Sequence, residues 1–158
     1  MRVGIGVDAH GFDASVPLVL AGIPFPDEPG LAGHSDGDVV THALIDALLG
    51  AANLGDIGLL FPSGDEEFRG ISSLLLLSRA YRRVREAGYE LVNAHCVLIG
   101  EHPRIADRRA EMVVRLAETL GVEPGRIAVS ATTTDRLGFT GRGEGLAAEA
   151  VALLRETD

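Results

Sequence analysis

Two side chains near the N-terminus have the types and the spacing of metal ligands. Asp8 and His10 stand two residues apart in the otherwise apolar stretch MRVGIGVDAHGF. On a strand, residues i and i+2 point to the same face, so this carboxylate and imidazole would lie side by side. His42, farther along the chain, could supply a third ligand, and two imidazoles with one carboxylate are typical of a catalytic zinc site. The alternative is that Asp8 caps a turn while both histidines are hydrogen-bonded core groups.

Two carboxylates flank His42 in a segment with helical periodicity. Asp38 and Asp46 lie four residues before and four residues after it, on the same face of the predicted helix. A metal-bound imidazole usually donates its other N–H to such a carboxylate. We therefore expect Asp38 or Asp46 to orient His42. The alternative for both is ordinary charge on a helix surface.

Three further segments carry groups that suit phosphate. His34 and Ser35 directly precede the predicted start of that helix, where free backbone N–H groups, a hydroxyl and an imidazole could hold an anion. The run TTTD at 132–135 places hydroxyls beside one carboxylate, which suits phosphate oxygens and a hard cation such as Mg²⁺. Arg142 stands among glycines in GFTGRGEG and could clamp an anion. A capping serine and a structural threonine run are the alternatives, but together these segments predict phosphoryl chemistry without naming a substrate.

The hydrophobic pattern predicts strands and helices mixed in one domain. The predicted strands cover 2–8, 89–100 and 126–135, and the Pro/Gly-rich stretch 16–33 could form a hairpin. The predicted helices run from a cap at Ser35 to about Gly55, over 71–87, and from Pro103 to Gly121. Residues 55–70 and 138–145 are predicted to be loops. The last segment, LAAEAVALLRE, favours a helix by propensity.

Composition excludes several classes of function. Hydrophobic residues make up 46% of the chain and charged residues 23%, which argues against disorder. The net charge of −9, without a dense basic stripe, argues against nucleic-acid binding. The chain has no lysine, so Schiff-base chemistry is excluded, and its single cysteine, Cys96, cannot form an internal disulfide. No signal peptide or membrane-length apolar run is evident, so we expect a cytoplasmic protein without a membrane partner.

Three long stretches resemble the 2-C-methyl-D-erythritol 2,4-cyclodiphosphate synthase family: VGIGVDAHGF, HSDGDVVTHALIDALLGAANLGDIGLLFP and ATTTDRLGFTGRGEGLAAEAVALL. The resemblance covers essentially the whole chain. It implies a single domain over residues 1–158, an α+β sandwich of a mixed β-sheet with helices on one face. It also implies a strand over 145–155, against the helix propensity, and a homotrimer with active sites between subunits. No cytidylyltransferase domain accompanies these stretches, so we expect a monofunctional enzyme.

The activity implied by this resemblance is that of a phosphorus–oxygen lyase of non-mevalonate isoprenoid biosynthesis. Such an enzyme cyclises 4-diphosphocytidyl-2-C-methyl-D-erythritol 2-phosphate to 2-C-methyl-D-erythritol 2,4-cyclodiphosphate and releases CMP. The 2-phosphate attacks the β-phosphorus, and no water or external nucleophile takes part. The reaction needs alignment and charge neutralisation from the protein, and this agrees with the lack of an obvious nucleophile or general base.

The resemblance also implies roles for individual residues. Asp8, His10 and His42 would bind Zn²⁺ or another divalent transition metal, and Asp135 would help to bind Mg²⁺ or Mn²⁺. His34 and Thr133 would be catalytic, because they would stabilise charge on the transferring phosphoryl group. The substrate-binding residues would be Asp8, Ala9, His10, His34, Ser35, Asp56, Ile57, Gly58, Phe61, Pro62, Ser63, Gly64, Asp65, Gly100, Pro103, Arg104, Ile105, Ala106, Thr132, Thr133, Thr134, Asp135, Phe139 and Arg142.

These residues divide by the part of the substrate that each group would contact. Asp56 and Gly58 would hold the methylerythritol hydroxyls, and residues 61–65 would close over them. Residues 100–106 and 132–135 would receive the cytidine and its phosphates. Phe139 and Arg142 would lie towards the central cavity of the trimer.

Two other functions are compatible with the same ligands. A zinc hydrolase would use metal-bound hydroxide on a phosphoester, but it would need a general base near the metal, and none is evident. A non-catalytic trimeric binding protein of the same fold would be expected to lose metal ligands, yet all three candidates are present.

Overall fold

A mixed five-stranded sheet with helices packed against one face forms the structure, a computed structural model that describes residues 1–158. The strands are β1 (Arg2–Leu20), β2 (Ile23–Leu31), β3 (Tyr89–Ile99), β4 (Ile127–Thr132) and β5 (Gly145–Glu156). The helices are α1 (Val39–Ala52), α2 (Ile57–Leu60), α3 (Ser73–Glu86), α4 (Arg109–Leu120) and α5 (Gly138–Gly141). Short 3₁₀ turns cover Glu66–Phe68 and Pro124–Arg126. None of the helices combines the length and the apolar character needed to span a membrane.

Strand β5 lies at the centre of the sheet, in the order β2-β1-β5-β3-β4. It pairs antiparallel with β1 on one side and with β3 on the other. Strands β3 and β4 are parallel, and α4 lies in the connection between them. One parallel pair in an otherwise antiparallel sheet confirms the predicted mixed sheet and the α+β class.

The C-terminal segment is a strand although its composition favours a helix. Every second residue from Leu146 to Leu154 is completely buried beneath the helices, whereas Val151 on the other face is 40% exposed. The helix predicted from propensity is therefore wrong, and the strand implied by the family resemblance is confirmed. Main-chain pairing with two neighbouring strands outweighs the weak helix preference of alanine and leucine.

Glycines let α1 approach β1 closely. A Cβ atom added to Gly6 would lie 1.9 Å from the carbonyl oxygen of Ala43, and one added to Gly4 would also collide with the helix backbone. Because main chain packs against main chain here, no larger residue fits at either position. The same face of β1 continues to Asp8 and His10, so this contact determines how near α1 lies to them.

The first helix begins three residues after the predicted position. Asp38, rather than Ser35, is the N-cap, and its side chain accepts a hydrogen bond from the backbone N–H of Thr41. Gly37 has a φ of +73°, in the left-handed region, so an α-helix cannot run through it. The later start places His42 in the first turn of α1, at the end that faces the site.

Other boundaries also differ from the predictions. Strand β1 is longer than 2–8 because its second half pairs with β2 in the predicted hairpin. Helix α4 begins at Arg109 and not after Pro103, because the chain first turns to insert the Ile105 side chain into the core. The predicted loops 55–70 and 138–145 each contain a short helix, α2 and α5.

Candidate metal centre and active-site cavity

Asp8, His10 and His42 come together, as the sequence predicted. The Oδ2 atom of Asp8 lies 2.7 Å from Nε2 of His10 and 3.0 Å from Nδ1 of His42. The two ring nitrogens lie 3.2 Å apart. All three potential ligand atoms are within 4.8 Å of one another, which is close enough to share one ion.

The packing of α1 on β1 explains this convergence. Asp8 and His10 extend from the face of β1 that contains Gly4 and Gly6, and those glycines bring α1 within reach. His42 occupies the turn of α1 that lies opposite these two side chains. The sequence interval between His10 and His42 is long, but the sheet–helix contact makes the three residues neighbours.

Hydrogen bonds outside the cluster decide which ring nitrogens face it. Nδ1 of His10 lies 2.7 Å from the carbonyl oxygen of Ala32. A carbonyl can only accept, so Nδ1 carries the hydrogen and the lone pair of Nε2 points to Asp8 in the neutral ring. Nε2 of His42 lies 2.8 Å from the hydroxyl oxygen of Ser73, which leaves Nδ1 facing the cluster. A carboxylate and two imidazole lone pairs that converge in this way fit a divalent metal.

Charges in the cluster couple the ionisation of its members. Burial disfavours the charged form of Asp8, but hydrogen bonds from His10 and His42 outweigh it and lower the pKa of Asp8 to about 2. The hydrogen bond to Asp8 raises the pKa of His10 above its ordinary value. The Asp8 carboxylate therefore favours the protonated form of His10 in the metal-free protein. A metal bound at this site would compete with that proton.

Neither carboxylate expected to orient His42 does so, and this prediction is wrong. Asp38 is completely buried and accepts hydrogen bonds from the backbone of Ala21 and Gly22 and from Thr41. Burial raises the pKa of the Asp38 carboxyl, and the hydrogen bonds from Thr41 and Gly22 offset this rise only in part.

Asp46 lies one turn farther along α1, where its Oδ1 accepts from the backbone N–H of Ile57 at 2.7 Å. It thus supports the chain beside the cavity and not the imidazole of His42. One hydroxyl that does contact Nε2 of His42 is that of Ser73, which sequence reasoning missed. No spacing pattern links residue 73 to residue 42, because the contact depends on how α3 packs beside α1.

A cavity of about 380 Å³ opens beside the cluster. Its wall includes most residues predicted for the metal and methylerythritol part of the site, which are Asp8, His10, His34, Ser35, His42, Ile57, Gly58, Phe61, Pro62, Ser63 and Gly64. Phe68 and Leu76 complete the lining and were not predicted. His34 donates from Nε2 to the carbonyl oxygen of Asp65 at 2.9 Å, which ties this loop to the segment before α1. Asp56, the N-cap of α2, adjoins the cavity.

A second group of predicted residues lies together but outside this cavity. Strands β3 and β4 are parallel, so their carboxyl ends meet at one edge of the sheet, with Ile99 opposite Thr132. The backbone N–H of Gly100 donates to the carbonyl oxygen of Thr132 at 3.0 Å, and Glu101 accepts from the N–H of Arg136. Residues 100–106 and 132–135 therefore form one surface, but Thr133 and Asp135 do not reach the metal cluster in this chain.

The remaining predicted residues are dispersed around these two groups. Ala9 points to the uncovered face of the sheet, away from the cluster. Pro103 and Ile105 are buried, so neither side chain is open to a ligand. Phe139 and Arg142 lie on or beside α5 outside the cavity, and Arg142 pairs with Glu144 at 2.7 Å.

A carboxylate and two imidazoles that converge on the wall of a cavity are typical of metal-dependent enzymes. A profile of the YgbB family matches residues 1–155. The chain belongs to the YgbB family.

The most similar relatives include single-function and bifunctional enzymes. The 2-C-methyl-D-erythritol 2,4-cyclodiphosphate synthase of Klebsiella pneumoniae subsp. pneumoniae is 51% identical over 158 residues, which is 100% of this chain and 99% of the relative. The enzyme of the same name from Moorella thermoacetica is 52% identical, over 100% of this chain and 97% of the relative. A bifunctional IspD/IspF enzyme of Campylobacter curvus is 54% identical, over 98% of this chain and 42% of its own length.

Solved structures have the same fold. The bifunctional IspDF of Campylobacter jejuni superposes with a TM-score of 0.96 at 44% identity, over 99% of this chain and 42% of its own. A CDP-bound 2C-methyl-D-erythritol-2,4-cyclodiphosphate synthase superposes with a TM-score of 0.88 at 38% identity, over 98% of this chain and 100% of its own. The CDP complex of IspF from Plasmodium falciparum superposes with a TM-score of 0.86 at 28% identity, over 99% of this chain and 97% of its own. Family membership makes this chain a cyclodiphosphate synthase of isoprenoid biosynthesis, a CMP-releasing phosphorus–oxygen lyase, as the resemblance implied.

Proposed function

We propose that the chain converts 4-diphosphocytidyl-2-C-methyl-D-erythritol 2-phosphate into 2-C-methyl-D-erythritol 2,4-cyclodiphosphate and CMP, acting as one domain over residues 1–158. An oxygen of the 2-phosphate attacks the β-phosphorus and forms the new P–O–P bridge. The bond from the β-phosphorus to the bridging oxygen of CMP breaks, and CMP leaves with the bonding electrons. The observation that carries this proposal is the carboxylate–imidazole cluster on the cavity wall. The names of the relatives and the CDP in two similar structures support it.

The residues proposed to hold the metal are Asp8, His10 and His42. We propose Zn²⁺ or another divalent transition metal, because imidazole and carboxylate ligands suit such ions. When bound, the ion supplies positive charge beside the phosphate oxygens, which reduces the charge repulsion in the cyclisation. The chain's own contribution is to hold three lone pairs at one point, with the outer nitrogen of each imidazole already hydrogen-bonded.

His34, Ser35 and Thr133 are proposed to stabilise charge on the transferring phosphoryl group. His34 and Ser35 line the cavity beside the cluster, and Ser35 Oγ lies 3.0 Å from Nε2 of His42. The His34 N–H now bonds the carbonyl of Asp65, so it would exchange that partner for a phosphate oxygen as the loop adjusts. Hydrogen-bond donors that already point to the atoms where negative charge develops stabilise the transition state most strongly.

The loop from Asp56 to Asp65 is proposed to hold and cover the methylerythritol unit. Ile57, Gly58 and Phe61 lie on the cavity wall, and Asp56 directly precedes them as the N-cap of α2. Asp46 holds the beginning of this loop through the N–H of Ile57. Exclusion of water from this side would favour attack by the 2-phosphate over hydrolysis.

Residues 100–106 and 132–135 are proposed to bind the cytidine and its phosphates. They form one polar surface, and Asp135 would help to hold Mg²⁺ or Mn²⁺ among phosphate oxygens. This surface lies outside the cavity of its own chain. We therefore propose that it completes the cavity of a neighbouring copy, so that each active site lies between two subunits of a homotrimer. Phe139 and Arg142 would face the axis of this trimer.

The uncovered face of the sheet supports the proposed trimer. Val3, Ile5 and Val7 on β1 and Val151 on β5 are all exposed there, side by side. A contiguous apolar surface of this kind is unusual on a monomer and is typical of a subunit interface. No basic stripe or membrane-spanning helix accompanies it, and the cytoplasmic location stays a prediction from the sequence.

Phosphorus NMR of the purified protein with the proposed substrate tests the reaction. We expect signals of CMP and a cyclic diphosphate to appear together and to be lost when a chelator removes the metal. CMP with an open-chain bisphosphate would instead show a metal-dependent hydrolase. The absence of any product after metals are restored would contradict the proposed reaction.

A further inference from the structure

His42 is connected to the half-buried carboxylate of Asp36 through one hydroxyl group. Nε2 of His42 lies 2.8 Å from Oγ of Ser73, and Ser73 Oγ in turn bonds Oδ1 of Asp36. The Oδ2 atom of Asp36 accepts from the backbone N–H of Ser73 at 3.0 Å. The Oδ1 atom of Asp36 also accepts from the backbone N–H of Asp38 at 3.1 Å. The metal cluster is thereby linked to the segment before α1 and to the first residue of α3.

The chemistry of these groups sets the direction of every hydrogen bond. The Asp36 carboxylate can only accept, so the hydroxyl hydrogen of Ser73 is donated to it. The Ser73 oxygen then accepts from His42, and the His42 hydrogen must be on Nε2. Nδ1 of His42 consequently carries a lone pair, and it is the nitrogen that faces Asp8 and His10.

We propose that Asp36 and Ser73 are positioning residues, which hold His42 in the tautomer that presents Nδ1 to the metal. The inference rests on the proposed metal site. Ser73 is completely buried and neither residue lines the cavity, so their effect on the metal passes through His42 alone. Mutation of a residue that hydrogen-bonds the outer nitrogen of a metal-bound imidazole typically lowers the metal affinity by about 10- to 100-fold.

Ser35 cannot perform this task although it also contacts His42. Its Oγ lies 3.0 Å from Nε2, but its own hydrogen is not committed to a carboxylate. A hydroxyl in this situation can donate or accept, so it is compatible with either tautomer. Only the Ser73 hydroxyl, which is bound to Asp36, requires the hydrogen on Nε2.

Zinc affinity in two variants tests the proposal, with competition against a chromophoric chelator as the measurement. In Ser73→Ala the acceptor for Nε2 is removed, and we expect Zn²⁺ to bind about 10- to 100-fold more weakly. In Asp36→Asn the side-chain amide can donate to Ser73, whose hydroxyl then donates to His42 and favours the wrong tautomer, so we expect a loss at least as large. Ser72→Ala is the matched control, because Ser72 is exposed and makes no side-chain cap hydrogen bond, and it should bind Zn²⁺ as the unaltered protein does.

A spectroscopic measurement on the unaltered protein makes the test independent of how the variants fold. With ¹⁵N-labelled histidine and ¹¹³Cd in the site, we expect the one-bond coupling of His42 to appear at Nδ1 and a hydrogen at Nε2. Coupling at Nε2 would overturn the proposal, and so would unchanged Zn²⁺ affinity in both folded variants. If the unaltered protein bound neither metal, the proposed metal site would fail as well, so the two failures are distinguishable.

Discussion

The two halves of the predicted site differ in how far one chain completes them. The metal half is partly buried on the face of β1 that packs against α1, and its ligand atoms lie within hydrogen-bond distance of one another. The half formed by residues 100–106 and 132–135 lies at the edge of the sheet, where Thr132, Thr133 and Asp135 are exposed. The residues of the metal half contact one another within one chain. The residues of the second half do not line the cavity beside them.

This difference shows which parts of an active site a single fold can build. The metal ligands stand on regular elements whose backbones are in direct contact at Gly6 and Ala43, so their separation is set by packing. The second half stands on the turns that follow two parallel strands, and none of its residues lines the cavity. A substrate with a diphosphate between a sugar alcohol and a nucleoside must contact both halves, which is why we propose a second copy.

The largest effect is expected from a change that breaks the metal half alone. His42→Ala removes one ligand, and we expect turnover to fall by about 10³-fold or more, because the charge supplied at the phosphates is lost. Activity and bound metal measured on the same sample check this. The oligomeric mass should not change, since His42 lies on the covered side of the sheet. Full activity in a metal-free His42→Ala protein would contradict the role assigned to it.

Mixing two inactive variants tests whether the halves come from different copies. His42→Ala lacks the metal half and Thr133→Ala is altered in the other half, where loss of one donor to the phosphoryl group should cost about 10²-fold. After subunit exchange in a three-fold ring, about a quarter of the sites would combine two intact halves, and activity should recover to that level. A mixture of His42→Ala with His10→Ala is the control and should stay inactive. If His42→Ala with Thr133→Ala also stays inactive after proven exchange, the site is not shared between chains.

The uncovered sheet face provides a test of assembly without touching either half. Ile5→Asp places a charge on this face, next to Val151, and we expect the proposed trimer to dissociate into monomers. Folding of the single chain should change by no more than about 0.5 kcal/mol, because Ile5 is 61% exposed within it. Light scattering after size exclusion measures the mass. Val114→Asp, at an apolar position 42% exposed on α4, is the control that should remain trimeric.

The smallest effect expected is a pH dependence of the metal-free protein's stability. Asp8 has its pKa lowered from 3.8 to about 2, so its contribution is present above pH 3.8 and is lost as the pH falls towards 2. His10 has its pKa raised, so its contribution is present below pH 6.5 and is lost as the pH rises through the raised pKa. We expect the free energy of unfolding to be highest between these limits, with up to about 2 kcal/mol from Asp8. Denaturant titrations across pH measure it, and Asp8→Asn should flatten the profile.

The donor set of the site and most of the elements were predictable from local sequence. The spacing of Asp8 and His10 follows from the two-residue period of a strand, and helix α1 and its apolar face follow from their own periodicity. The helix start was misplaced because Ser35 is as good a cap as Asp38, and only the positive φ of Gly37 excludes the earlier start. The C-terminal strand was misread by propensity because β5 owes its conformation to the two strands beside it.

By itself, the sequence determined which chemical groups are available: a carboxylate and two imidazoles for a metal, with hydroxyls and N–H donors for phosphates. The tertiary structure alone decided which of these groups meet. It replaced Asp38 and Asp46 by Ser73 and Asp36 as the partners that orient His42, and it separated Thr133 from the metal cluster. The physical reason is that periodicity reports only neighbours within one element, whereas these contacts depend on how α1, α3 and the sheet pack together.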